Sequence, residues 1–126
     1  MPTAPASPEA CDRLFVEHVN AGDVNAVLSL YEPACRMVRR DGSVAQGHAE
    51  IREVLERLIG MRPRMTTEIV KVVTTGDLAM VYNDWRLSGK RPDGQRVEAV
   101  GKAIEVVRRQ PDGTWRFILD DPFARG

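Results

Sequence analysis

Tyr82, Asp84 and Arg86 alternate within the stretch from Gly76 to Gly89, so an extended chain sets a phenol, a carboxylate and a guanidinium on one face with Met80 and Ser88. Ala79, Val81, Asn83, Trp85 and Leu87 fall on the other. Turned into the protein, the first face is an acid-base kit, because a carboxylate moves protons, a guanidinium orients it and a phenol donates to a developing oxyanion. Turned to solvent, it is an ordinary polar sheet face over a packed one. A slip of one residue between Leu78 and Gly89 exchanges the two faces and brings Asn83 and Trp85 in instead.

Elements that could position such a strand are legible on both sides. Ser7-Pro8-Glu9 supplies a cap, a first-turn proline and an early acid, and Cys11, Leu14, Phe15, His18 and Val19 repeat as one helical stripe ending at Gly22. Asp23 can cap a second helix striped by Val24, Val27, Leu28 and Tyr31 before Pro33. A hairpin on Asp41-Gly42 follows, then a third helix with Ile51, Val54, Leu55, Leu58 and Ile59 on one side and Gly60 at its end. Four strands complete the chain: Glu68 to Thr75, the stretch above, Arg96 to Arg109, and Thr114 to Asp120, joined at Gly76-Asp77, Pro92-Asp93-Gly94 and Pro111-Asp112-Gly113.

This order predicts an α+β domain, with three N-terminal helices packed on one face of a curved, mostly antiparallel sheet. A chain of 126 residues, 43% of them hydrophobic, holds one core, so we expect a flexible tail over 1–7 and one domain over 8–126. Eighteen basic and eighteen acidic side chains cancel, which argues against nucleic acid or an acidic membrane as a partner. The opening residues have neither the basic segment nor the apolar run of a signal peptide, no stretch is long and apolar enough to span a membrane, and a cytoplasmic protein is expected. Cys11 and Cys35 are far apart and read as buried thiols, and His18 has no second ligand at i+4, so no metal is expected.

Phe15 through Asn20-Ala21-Gly22-Asp23, Leu30-Tyr31-Glu32-Pro33, Gln46-Gly47-His48-Ala49-Glu50-Ile51-Arg52-Glu53 and Asp112-Gly113-Thr114-Trp115 together resemble the nuclear transport factor 2-like superfamily, in its SnoaL-like and ketosteroid-isomerase-like branch. The resemblance runs from about Pro8 to Phe123. It implies a cone-shaped α+β barrel of the cystatin-like kind, closed around one pocket, working without a cofactor and often paired with a second subunit through the outer face of its sheet. In ketosteroid isomerases the first helix carries an oxyanion-donating tyrosine where this chain has Phe15, and the general base falls at or beside Arg39. Of the three parts only their protonated carboxylic acid has a counterpart, Glu105, so with the tyrosine and the base both replaced steroid isomerisation is not expected. Limonene-epoxide-hydrolase-like members activate water with an aspartate at the position of Asp120, and their alternating arginine and acid resemble Asp84 and Arg86 in reverse order.

A register that puts Glu105 and Asp120 on one side would add Tyr82, Asp84 and Arg86 to Ala99, Gly101, Ala103 and Ile118. Val81, Trp85, Leu87, Val100, Ile104, Val106, Trp115, Phe117 and Leu119 would then face away, as a homodimer interface. The competing arrangement puts that apolar face beneath the helices. The small run Ala99-x-Gly101-x-Ala103 leaves room for a ligand or a helix. The resulting expectation is a small-molecule pocket lined by Phe15, His18, Met37, Arg39, Ala103 and Ile118, with Asp120 as base, Asp84 or Glu105 as acid, Arg86 orienting them and Tyr82 donating. Isomerisation, cyclisation and epoxide opening all suit such a set, and a non-catalytic binding or dimerising module is the alternative.

Overall fold

The computed structural model describes residues 3–126. The chain runs α1 (Pro8–Ala21), α2 (Val24–Leu28), β1 (Tyr31–Val38), β2 (Val44–Gln46), α3 (Gly47–Gly60), β3 (Arg64–Thr75), β4 (Leu78–Lys90), β5 (Arg96–Arg109) and β6 (Trp115–Asp121). One six-stranded sheet has the order β2-β1-β6-β5-β4-β3, with β1 and β6 parallel and every other pair antiparallel.

Local chemistry sets the helix ends. The Ser7 hydroxyl accepts from the Ala10 amide at 3.2 Å, and Gly22, at φ +74°, turns the chain so that its own amide and that of Asp23 satisfy Val19 and His18. The Asp23 carboxylate accepts from the Ala26 amide at 3.0 Å and starts α2. Asn20 fastens α1 to β3, donating to the Met65 carbonyl at 2.9 Å and accepting from its amide at 2.7 Å. The expected tail over 1–7 is held at Pro5, which is buried and whose carbonyl accepts from the Trp115 amide at 2.9 Å; Met1 and Pro2 lie outside the described residues.

Three elements differ from the sequence expectation. Tyr31 opens β1 instead of closing α2, because the Leu30 carbonyl takes the Phe117 amide at 2.8 Å and Pro33 cannot continue a helix. In β4 the apolar face wins: Ala79, Val81, Asn83, Trp85 and Leu87 are all buried under the helices. Pairing of Tyr82 with Ile104 and of Asp84 with Lys102 puts Tyr82, Asp84 and Arg86 on the outer face, one residue from the register that would have joined them to Glu105. The cost of burying a carboxylate and a guanidinium against five largely apolar side chains accounts for the choice. In β6 a bulge between the Val106–Leu119 and Val107–Phe117 pairs lets Trp115, Phe117 and Asp120 all face inward, where strict alternation would separate them.

The core therefore lies between the helices and the inner sheet face, centred on Tyr31, Phe117, Leu30, Ile51 and Leu55. Cys11 and Cys35 are buried free thiols, and burial pushes both far above the usual thiol range. Among the described residues no helix is long and apolar enough to cross a membrane.

Candidate functional site

Three carboxyls are buried together at one end of the inner face. Asp12 comes from α1, Glu105 from β5 and Asp120 from β6, and they are 4%, 7% and 6% exposed. Asn83 of β4 bridges two of them, its amide donating to Glu105 Oε2 at 2.7 Å and to Asp12 Oδ2 at 3.3 Å. Thr67 of β3 donates to Asn83 Oδ1 at 3.0 Å, which fixes the amide with its NH2 toward the acids. The Tyr31 hydroxyl donates to Asp120 Oδ2 at 2.8 Å. Five strands and α1 thus each contribute one side chain to a polar cluster inside an apolar shell.

Desolvation dominates the charge state of this group. Burial, followed by the negative charges of Asp12 and Asp120, lifts Glu105 well above the ordinary carboxyl range. Burial raises Asp120 to about 7, against the lowering effect of the Tyr31 hydrogen bond, and raises Asp12 to about 6, against hydrogen bonds with Glu105 and Asn83. Glu105 Oε1 is buried with no donor to meet it, as suits an oxygen that carries a proton and shares it with the Asp12 carboxylate. At neutral pH the cluster holds an acid, Glu105, beside groups able to take a proton.

The carboxyls open onto a cavity of about 310 Å³ whose walls are mainly apolar, including Phe15, Met37, Leu58, Met65, Trp85 and Phe117. Trp85 is locked in place: its Nε1 donates to the Pro122 carbonyl at 2.8 Å, its ring packs edge-on to Phe123, and a Cβ on Gly101 would overlap its indole. The small run on β5 thus leaves room for two things, a neighbouring tryptophan at Gly101 and the cavity at Ala99 and Ala103.

Of the residues picked from the sequence, Asp120, Glu105, Phe15, Met37 and Ala103 line this cavity. His18, Arg39 and Ile118 do not. His18 keeps a buried Nε2 without a partner, Arg39 pairs with Ser43 and Glu50 at the hairpin, and Ile118 sits in the β6 bulge. Tyr82, Asp84 and Arg86 stand on the outer face, apart from Asp120: Asp84 accepts from Arg125 at 2.9 Å, and the Tyr82 ring lies between Lys71 and Arg125. The β4 register separates that set, so the Asp84-Arg86-Asp120 kit is not assembled.

Asp12, Thr67 and Tyr31 escaped the sequence reading, and Asn83 entered it only as the outcome of a one-residue slip in β4. Only Asp12 carried a usable signal, as a lone charge completing the i, i+3, i+4, i+7 stripe with Phe15, Val16 and Val19. Among the described residues no group of His, Cys, Asp and Glu is arranged to hold a metal ion.

The profile of the SnoaL-like domain matches residues 13–118. No curated protein sequence matches the chain. Among solved structures, a ketosteroid isomerase-like protein from Erwinia carotovora atroseptica superposes with a TM-score of 0.79 at 22% identity, over 90% of this chain and 89% of that one. A candidate dehydratase of the nuclear transport factor 2-like family from Streptomyces avermitilis gives 0.76 at 22%, over 90% and 92%. A candidate calcium/calmodulin-dependent protein kinase type II association domain from Thiobacillus denitrificans gives 0.76 at 20%, over 98% and 99%. At these identities the likeness is one of fold.

Proposed function

The chain belongs to the SnoaL-like domain family, and on that premise we propose that it is a cone-shaped domain which binds a small organic molecule and moves protons on it by acid-base chemistry. The observation that carries this reading is the burial of Asp12, Glu105 and Asp120 together at the end of an apolar cavity. A fold needs no such cluster for stability, since burying three carboxyls costs free energy that an apolar set would not. Groups whose environments hold one protonated and another near neutrality are what a proton transfer requires.

Asp120 acts as the base, with Tyr31 fixing one of its oxygens. Glu105, sharing its proton with Asp12 and held by Asn83, acts as the acid. When Asp120 takes a proton from carbon or water, the Asp12–Glu105 pair gives one to the oxygen on which charge develops; in an isomerisation both protons then return to the substrate and the pair, and in epoxide opening the product oxygen keeps its proton while that on Asp120 passes to the pair. Isomerisation, cyclisation and epoxide opening share this step. Of the groups first assigned to the reaction, Tyr82, Asp84 and Arg86 take no part.

Hydrogen-deuterium exchange into 2-tetralone tests the proposal, because the ketone offers an acidic C–H and an oxygen to protonate. Nuclear magnetic resonance in D2O is expected to show exchange faster than equimolar acetate supports, with the excess lost in Asp120→Asn and reduced in Glu105→Gln. Exchange no faster than with acetate sinks the acid-base reading and leaves the non-catalytic binding module.

We also propose that the outer sheet face pairs with a second copy of the chain. Val70, Val73, Met80, Val100 and Leu119 are exposed there, among both Lys71 and Lys102 and both Glu68 and Asp84, so a two-fold axis can set unlike charges against each other.

A further inference from the structure

The cavity is polar at both ends with opposite sign. Glu105 and Asp120 close the deep end, while two guanidiniums, Arg40 from the β1–β2 turn and Arg91 from the β4–β5 turn, reach the lining from exposed positions. The wall between them is apolar. Along β5 it runs from Glu105 to Ala99, six residues or roughly 20 Å of extended strand.

Neither arginine forms an ion pair among the described residues, although Arg39, Arg108, Arg109 and Arg125 all do. The guanidinium of Arg40 stacks on the Phe123 ring at 5.0 Å, which holds its plane at the rim and leaves its edge donors free. Arg91 is steadied by a 3.1 Å hydrogen bond from Nη1 to Gln95 Oε1. The neighbouring acids do not neutralise them: Asp41 is engaged by Ser43 and Asp93 by the Gln95 amide, and neither lines the cavity.

From this polarity we propose that the natural ligand is an elongated organic anion, whose carboxylate, sulfate or phosphate end is held at the rim by Arg40 and Arg91 while a neutral carbonyl or hydroxyl end meets the carboxyls. The orientation follows from charge. An anionic end pushed to the bottom would meet Asp12 and Asp120 in a desolvated site, whereas at the rim it meets planar donors free to bind it in pairs. The inference rests on the ligand-binding reading above and adds the class of ligand.

Two probes that differ only at one terminus test it: 12-hydroxydodecanoate and 1,12-dodecanediol, followed by tryptophan fluorescence, since Trp85 but not Trp115 stands in the cavity wall. The carboxylate is expected to bind about tenfold more tightly at low salt, with the preference shrinking as salt is raised. Arg40→Gln combined with Arg91→Gln should remove that preference by weakening the carboxylate alone. Equal binding of the two probes to the native protein overturns the proposal, as does a preference that survives the double substitution, and both leave the ligand cavity standing. Failure of both probes to bind overturns the cavity reading and this proposal with it.

Discussion

Asp120 and Asp12 keep their protons in the folded chain long after the unfolded chain has lost them, which makes stability depend on pH. From an ordinary value of 3.8, burial raises them to about 7 and about 6. Well below pH 3.8 both states are protonated and these groups carry no penalty. As pH rises the unfolded chain ionises freely while the folded one resists, so stability falls until the folded pKa values are passed and stays low above them. At about 1.4 kcal/mol per pH unit, Asp120 alone should cost about 2 to 3 kcal/mol between pH 5 and 8, several degrees in Tm for a domain of this size. The carboxylates held below the usual range, Glu32, Asp41 and Asp112, contribute in the opposite sense, and their change is complete at lower pH. Calorimetry across that range should therefore show a falling Tm, with Asp120→Asn raising it at pH 8 and flattening the slope. An unaltered slope in that variant would mean that Asp120 is already ionised in the fold.

At the scale of the elements, β4 and β5 decide what the cavity contains. Trp85 lies over Gly101 and Asn83 ties to Glu105, so two contacts of unlike chemistry pin the same register. Slipping it by one residue would lose both and would bury Asp84 and Arg86. Gly101→Val should displace the indole, lower stability by about 1 to 3 kcal/mol and change the near-ultraviolet circular dichroism of the folded protein. A variant with native stability and spectrum would show that the tryptophan does not set the register. The β6 bulge is the second device, since it turns Phe117 into the core while keeping Asp120 at the cavity wall.

For the whole molecule, the outer face is where the arrangement of faces has its largest consequence. The expected dimer surface included Val81, Trp85, Leu87, Trp115 and Phe117, all of which the fold buries. Val100 and Leu119 remain outside, 61% and 49% exposed. Sedimentation velocity should find a dimer that Val100→Glu with Leu119→Glu converts to a monomer, with the cavity's ligand affinity retained. A native protein that sediments as a monomer at micromolar concentration would rule out the pairing.

Local chemistry in the sequence was enough for the helix caps, the Asp-Gly turns, the stripe of α3 and the order of elements, because each depends on residues within a turn or two of one another. It also brought Glu105 and Asp120 together, through their positions around one hairpin. The remaining contributors to the site, Asp12, Tyr31, Thr67 and Asn83, lie on elements far apart in the chain. Whether Asn83 or Asp84 faced the cavity hung on a single-residue register, and the bulges at Val70 and Ile118 leave no period-two trace. Only packing resolved these, since burial of Trp85 and Val81 outweighs any preference that β4 has by itself.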